Sequence, residues 1–305
     1  MAHTGPDLHS ARRPRRDART GPWLLAVLAA FAGLLSATTP APAAAAVPRC
    51  GSRGAPPAWK HVVWIVMENH AYGEVIGSGD APYINRLAHR CGLATNYRAV
   101  THPSLPNYVA MTSGGTHGIG DDAPPSVDAI SSPSIFSQLG GGWRAYAESM
   151  PGRCRRSDSG EYAVRHNPAT YFTSLDAICS RHDRPLPRSP TLKRFTFVTP
   201  NLCDDMHDCS TATGDRWLQG FVPKLLRLRD YRNGSTAIFI TWDEDDGTPG
   251  NRVPLLVLAR SVPHRARSGV YYTHYSLLRT TEEMLGLAPL GRAGSAGSMR
   301  GAFGL

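Results

Sequence analysis

Three short apolar runs in this chain stop abruptly on residues that carry hard oxygen donors. His61-Val-Val-Trp-Ile-Val-Met67 ends on Glu68-Asn69, and Thr236-Ala-Ile-Phe-Ile-Thr-Trp242 ends on Asp243-Glu244. Phe195-Thr-Phe-Val-Thr199 leads to Asn201 and then to Cys203-Asp-Asp-Met-His-Asp-Cys209. In open α/β sheets ligands bind beyond the carboxyl ends of the strands. Strands that deliver acids, an amide and a His to one edge therefore predict a metal-assisted site.

Five strands are predicted, at 61–67, 144–149, 195–199, 236–242 and 253–259. The first, fourth and fifth are nearly unbroken apolar runs, as expected of parallel strands buried on both faces. Helical spacing is predicted over 82–91, 105–112, 134–139, 215–228 and 276–285, with Pro223 bending or interrupting the fourth. Strands alternating with helices give an α/β domain with a mainly parallel central sheet and helices on both faces.

The N-terminus reads as a targeting segment. Arg12, Arg13, Arg15, Arg16 and Arg19 precede an apolar stretch over 21–35, followed by Pro42-Ala-Ala-Ala-Ala46. This is a signal peptide over 1–46, by the general or the twin-arginine route, leaving a domain over 47–305 and a secreted or extracytoplasmic protein. The Gly/Ser/Ala-rich end, 291–305, is expected to be a flexible tail. No apolar run after residue 46 is long enough to span a bilayer.

The formal charge of +9 loses five Arg and two Asp with residues 1–46, leaving about +6. A mildly basic protein suits phosphate esters or acidic lipid surfaces. The basic residues form no stripe interleaved with aromatics, which argues against nucleic acid. All six Cys lie after residue 46. In an exported chain an even count reads as disulfides, with 15 pairings open. The sequential set Cys50–Cys91, Cys154–Cys179 and Cys203–Cys209 is expected; Cys203, His207 and Cys209 as zinc ligands is the competing reading.

Several clusters carry chemistry. Thr101-His-Pro-Ser-Leu-Pro-Asn-Tyr108 places Ser104 at a helix start, where free N–H groups and the dipole suit a phosphate. The other reading of Ser104 is a helix N-cap. Trp242-Asp-Glu-Asp-Asp-Gly247 is either a cation site or a solvated acidic turn. Asp204, Asp205 and His207 lie inside the predicted Cys203–Cys209 loop. His274 stands before a helix. Within Glu161-Tyr-Ala-Val-Arg-His-Asn-Pro168, Arg165 can clamp a phosphate oxygen and His166 can protonate a leaving alkoxide. The chain has no P-loop, no Gly-x-Ser-x-Gly elbow and no His-Glu-x-x-His.

In order, Met67-Glu-Asn-His70, Ala81-Pro-Tyr-Ile-Asn85, Thr101-His-Pro-Ser-Leu-Pro-Asn-Tyr108 and Thr241-Trp-Asp-Glu244 resemble the bacterial phosphoesterase family. That family holds acid phosphatases and the non-haemolytic type of phospholipase C, within the alkaline phosphatase superfamily. The resemblance covers residues 60 to 290. It implies an alkaline-phosphatase-like fold and Ser104 in the nucleophile's place. It also implies a divalent metal (Mg, Ca, Mn, Zn or Fe) on Glu68, Asn69, Asp243 and Glu244. His274 resembles the superfamily's late metal-binding His, and Asp205 with His207 are further candidates. Asn107 is expected on a phosphoryl oxygen, and His166 or His207 as the proton donor.

The expected activity is that of an exported, metal-dependent acid phosphatase acting through a phosphoseryl intermediate. The alternatives are a phospholipase C or other phosphodiesterase reaching a phospholipid head group, and an inactive phosphate-binding protein. Two departures stand out. Asp243-Glu-Asp-Asp-Gly247 replaces the family's Asp-Glu-x-x-Gly-Gly. The long C-terminal extension of the larger phospholipases is absent, which favours a compact phosphatase.

Overall fold

A computed structural model describes residues 48–305, so the predicted signal peptide lies outside the described residues. Ten strands are described: β1 His61–Met67, β2 Gly92–Ala94, β3 Tyr97–Arg98, β4 Trp143–Ala147, β5 Asp183–Pro185, β6 Phe195–Thr199, β7 Thr236–Trp242, β8 Leu255–Leu258, β9 Arg267–Ser268 and β10 Tyr272–Thr273. Eight of them form one sheet in the order β5-β4-β6-β1-β7-β8-β2-β9, and β10 pairs with β3 separately.

β1 lies at the centre, parallel to both β6 and β7. Val62 to Met67 are fully buried, which is why the run is unbroken rather than alternating. Its side chains divide between two layers, as the two-residue period of a strand requires. Trp64 donates from Nε1 to Thr281 Oγ1 (3.0 Å) in the His274–Leu285 helix and meets the edge of Phe195 at 4.8 Å. Met67 faces the Thr211–Leu226 helix, where a Cβ on Gly214 would approach its Cε to 3.0 Å. The architecture is thus a mainly parallel sheet with helices on both faces.

The 253–259 run does not join as a parallel strand. β8 pairs antiparallel with both β7 and β2. Burial on both faces erases the alternation that would mark an antiparallel strand, so apolar continuity reports burial and not direction. The helix predicted over 215–228 begins earlier, at Thr211, carries Pro223 in its last turn and ends at Leu226. Asp215 on this helix caps its neighbour Pro82–Arg90, accepting from the N–H groups of Tyr83 (3.1 Å) and Ile84 (2.8 Å).

The disulfides are Cys50–Cys91, Cys154–Cys179 and Cys203–Cys209. The last removes Cys203 and Cys209 as zinc ligands. No helix among the described residues is long and apolar enough to cross a membrane.

The 291–305 segment is not a flexible tail. Ala293, Met299 and Phe303 are fully buried, and Met299 N–H bonds Thr280 Oγ1 at 2.9 Å. Phe303 packs over Gly92, leaving no room for a Cβ there. Small residues, Gly and Ala above all, dominate the composition, but four widely spaced apolar anchors, Leu305 the fourth, decide the packing. Phe303→Ala is expected to cost about 3 kcal/mol. A denaturant midpoint equal to wild type would show that the segment contributes nothing.

Candidate active site

The site lies beyond the carboxyl ends of β1, β6 and β7. β1 and β7 run side by side, so Glu68 and Asp243 emerge as neighbours: Asp243 N–H bonds Met67 C=O at 3.0 Å, and Asn69 N–H bonds Asp243 Oδ1 at 3.3 Å. From the β6 side, Asp205 accepts the Glu68 N–H on its carbonyl at 2.9 Å. Asp205 Oδ1 accepts the His207 N–H at 2.8 Å, inside the loop closed by Cys203–Cys209. Asn69 (φ 45°) and Met206 (φ 86°) both hold left-handed backbone beside these carboxylates. An Asn tolerates that conformation readily; a Met there stores local strain.

Ser104 is the first residue of the Ser104–Ser113 helix and is 2% exposed. Its Oγ donates to Glu68 Oε2 at 3.1 Å. Tyr108, one turn later on the same helix face, donates to Glu68 Oε1. The Tyr108 ring stacks on His166 at 5.4 Å. His166 lies between two acids, with Nε2 3.4 Å from Glu68 Oε2 and Nδ1 3.3 Å from Asp205 Oδ2. One ligand atom each from Glu68, His166 and Asp205 falls within 4.8 Å of the others.

Burial and mutual repulsion set the electrostatics. Glu68 is held well above the carboxylate range by desolvation, then by Asp243 and Asp205. Desolvation raises Asp243 to about 7, Asp205 to about 8 and Glu244 to about 9. Burial pushes His166 well below its usual value, so its imidazole is neutral. Four atoms here are buried without a hydrogen-bond partner: Asn69 Oδ1, Asp243 Oδ2, Asp205 Oδ2 and His166 Nε2. Orphaned oxygens and a neutral imidazole around clustered acids fit a divalent cation.

The four consecutive acids divide their work. Asp243 and Glu244 are buried in the site. Asp245 closes a turn instead, with Oδ1 accepting the Gly247 N–H (2.9 Å) and Oδ2 the Thr248 hydroxyl (2.8 Å). Asp246 is exposed.

Two expected roles are corrected. His274 is not placed as a metal ligand, because both ring nitrogens are taken. Nε2 is 2.6 Å from the Asp243 carbonyl and Nδ1 is 2.8 Å from Tyr97 OH. Burial lowers it to about 4, and it holds the Asp243 backbone as a neutral donor. Asn107 does not face a phosphoryl oxygen. Its Oδ1 accepts the N–H groups of Val100 (2.9 Å) and Thr101 (3.1 Å), and its Nδ2 donates to the carbonyls of Thr101 and Pro103 and to Glu244 Oε2 (3.1 Å). It braces the loop entering Ser104.

The helix start is not wholly free for phosphate either, since Asp122 Oδ1 accepts the Leu105 N–H at 2.9 Å. Arg165 sits at the rim, 4.0 Å from Asp122 Oδ2, with Nη2 3.2 Å from His207 Nε2.

Three contributors went unassigned from sequence. Tyr108 was inside the quoted motif, and its four-residue spacing from Ser104 was the available signal. His102 reaches Glu244 Oε2 through Nδ1 at 2.9 Å while its side chain stays 43% exposed. Asp122 carried no pattern at all.

A family model described as the Phosphoesterase family matches residues 78–288. A phosphatidylinositol-3-phosphatase of Mycobacterium tuberculosis is 34% identical over 88% of this chain and 91% of its own length. A phosphate-repressible acid phosphatase of Penicillium chrysogenum is 30% identical over 68% of this chain. This chain spans only 55% of that fungal relative. Among solved structures, a protein of the alkaline phosphatase superfamily from Vibrio parahaemolyticus superposes with a TM-score of 0.53 at 13% identity, covering 83% of this chain and 74% of that one. A 2-O GAG sulfatase gives 0.55 at 11% identity, covering 80% and 74%. At those identities the likeness speaks for the fold alone, that of the alkaline phosphatase superfamily.

Proposed function

The chain belongs to the phosphoesterase family and is a hydrolase of phosphoric ester bonds, and from that premise we propose an exported, metal-dependent phosphomonoesterase working through a phosphoseryl intermediate. The observation that carries this reading is the Ser104 hydroxyl, aimed at Glu68 Oε2 within a nest of acids short of a cation.

Ser104 Oγ attacks phosphorus as its proton passes to Glu68 Oε2, the carboxylate oxygen to which it already donates. The ester P–O bond breaks and the alcohol departs with a proton. His102 is the fitting donor, since its Nδ1 lies 2.9 Å from Glu244 Oε2 and its side chain is open to solvent. Water then cleaves the phosphoserine and releases inorganic phosphate. Glu68, Asn69, Asp205, His166, Asp243 and Glu244 are the residues to hold the metal, which when bound neutralises developing charge on the phosphoryl oxygens. Tyr108 fixes the Glu68 carboxylate, and His274 fixes Asp243. Arg165, at the rim, binds the substrate's outer oxygens. Three disulfides support export.

The test is release of inorganic phosphate from an aryl phosphate, before and after exhaustive chelation, with add-back of Mg, Ca, Mn, Zn and Fe in turn. Activity is expected to vanish and return with one metal or a few. Full turnover in metal-free protein, verified by elemental analysis, removes the metal from the mechanism. A bis-aryl phosphodiester and phosphatidylcholine, run alongside, separate the phospholipase C reading. A second reading, dephosphorylation of a phosphoinositide head group, is favoured by the 34% identity to the mycobacterial phosphatase along nearly its whole length.

A further inference from the structure

Three arginines converge at the β4–β5 edge of the sheet with no acid among them. Arg144 and Tyr146 fall on one face of β4, and Arg184 stands opposite Tyr146 in β5. Arg144 Nη1 and Arg184 Nε both donate to the Arg181 carbonyl, at 2.7 Å and 2.9 Å, so the two guanidinium groups abut. Arg153 approaches from the loop after β4. Burial lowers the Arg144 pKa, and the charges of Arg184 and then Arg153 lower it further. Among the described residues no carboxylate lies within ion-pair distance of Arg144, Arg153 or Arg184. Arg144 is only 8% exposed, and its Nε is buried without a hydrogen-bond partner. A buried charge lacking a counter-charge is strongly unfavourable, and two like charges beside it make it more so.

These cations are not free to splay apart. Cys154–Cys179 ties the loop carrying Arg153 to the Cys179–His182 helix, whose Arg181 supplies the shared carbonyl. The Cys154 N–H also bonds the Asp183 carbonyl on β5 at 3.3 Å. Pro185, Pro187 and Pro190 stiffen the chain from the end of β5 onward. Tyr146, with the Arg144 guanidinium 5.9 Å from its ring centre, lines a cavity of about 580 Å³ together with Arg153, Arg184, Ser189 and Thr191. None of the residues assigned to catalysis lines it. A second cavity of about 520 Å³ shares Gly152 and Arg153 with the first and adds Arg155 and Arg156. Guanidinium forks match phosphate oxygens in pairs. Three of them exceed what a single phosphate dianion neutralises, and two adjoining cavities offer far more room than one phosphate fills. Several phosphoryl groups in a row complement both the charge and the length.

We infer that these adjoining cavities bind a linear oligophosphate, with phosphoryl groups seated on Arg144, Arg184 and Arg153 and the chain running on toward Arg155. The chain can be free or esterified at one end, as in a nucleoside triphosphate. The site stands apart from Ser104 and does not depend on the phosphomonoesterase reading.

Calorimetric titration of the full mature protein tests it, with tripolyphosphate, ATP, inorganic phosphate and citrate as probes. Tripolyphosphate is expected to bind, and inorganic phosphate and citrate to bind at least about tenfold more weakly. Arg153→Gln and Arg184→Gln are each expected to weaken tripolyphosphate about tenfold, with turnover of an aryl phosphate unchanged. Ser104→Ala should bind tripolyphosphate as wild type does, which separates this site from the nucleophile's. Chelation of metal by the probe is common to all variants and cancels in the comparison. Without ligand, Arg153→Gln should melt no lower than wild type, since it removes a repelling charge. Equal affinity for ATP upholds the site for an esterified chain, and weaker affinity upholds it for the free chain. Tripolyphosphate affinity unchanged by both arginine substitutions overturns the inference, and so does its loss in Ser104→Ala. Citrate binding as tightly as tripolyphosphate also overturns it, by reducing the site to unselective charge. A weakened Arg153→Gln that melts below wild type without ligand overturns it too, by making the arginine a structural fixture.

Discussion

Ser104→Ala is expected to fold, bind metal and lose at least about 10³-fold in turnover. The size of the loss follows from covalent catalysis: without Oγ there is no phosphoseryl step, and only binding and charge neutralisation remain. The substitution removes one hydroxyl from a helix whose C-terminal end is fixed independently. Gly114 takes φ 79° there, and a Cβ at that position would lie 2.1 Å from the Leu290 carbonyl oxygen. Its melting temperature should therefore lie within about 4 °C of wild type. Rapid acid quenching should trap phosphoserine in wild type and none in the variant. Near wild-type turnover by Ser104→Ala would eliminate it as nucleophile and leave direct attack by water.

The second large effect concerns pH and metal together. Asp243, Asp205 and Glu244 have folded-state values of about 7, 8 and 9, raised chiefly by desolvation above their ordinary 3.8, 3.8 and 4.5. A carboxyl raised on folding binds protons more tightly in the folded state. Stability is then greatest below the unfolded values, near pH 4, and falls as pH climbs through the folded values toward 9. Metal-free protein should accordingly melt at a progressively lower temperature from pH 5 to pH 9. Metal replaces those protons with a cation, so loaded protein should show a much flatter profile. Thermal melts at five pH values, with and without chelator, decide it. A chelated protein that becomes more stable toward pH 9 would contradict the clustering of these acids.

Much of this was legible because burial and chemistry leave marks in sequence. β1, β6 and β7 were readable as apolar runs, and the acids after them as a cluster at one edge, because a central strand must be apolar and its carboxyl end is where the chain can afford charge. Direction was not readable in β8, since a strand buried on both faces shows no alternation. Nor could spacing reveal that His274 spends both nitrogens on Tyr97 and Asp243, contacts made across 177 and 31 residues. Asn107 misled for a related reason. Its neighbourhood to Ser104 suggested a substrate contact, but a carboxamide can equally bind backbone, and here it binds four backbone groups. The segment after residue 291 was misjudged because mean composition hides a few decisive anchors such as Phe303.

The backbone link between Asn69 and Asp243 joins residues 174 positions apart. Glu68 and Asp205 are likewise brought together only when β1 and β6 have paired. Asp243 and Glu244, by contrast, sit on a short return from β7 into β8. No fragment of the chain can hold the whole cluster of acids, because closing such long loops must precede it. A misregistered sheet has the same acids but not their arrangement, so the buried cluster itself distinguishes a finished molecule from a merely collapsed one.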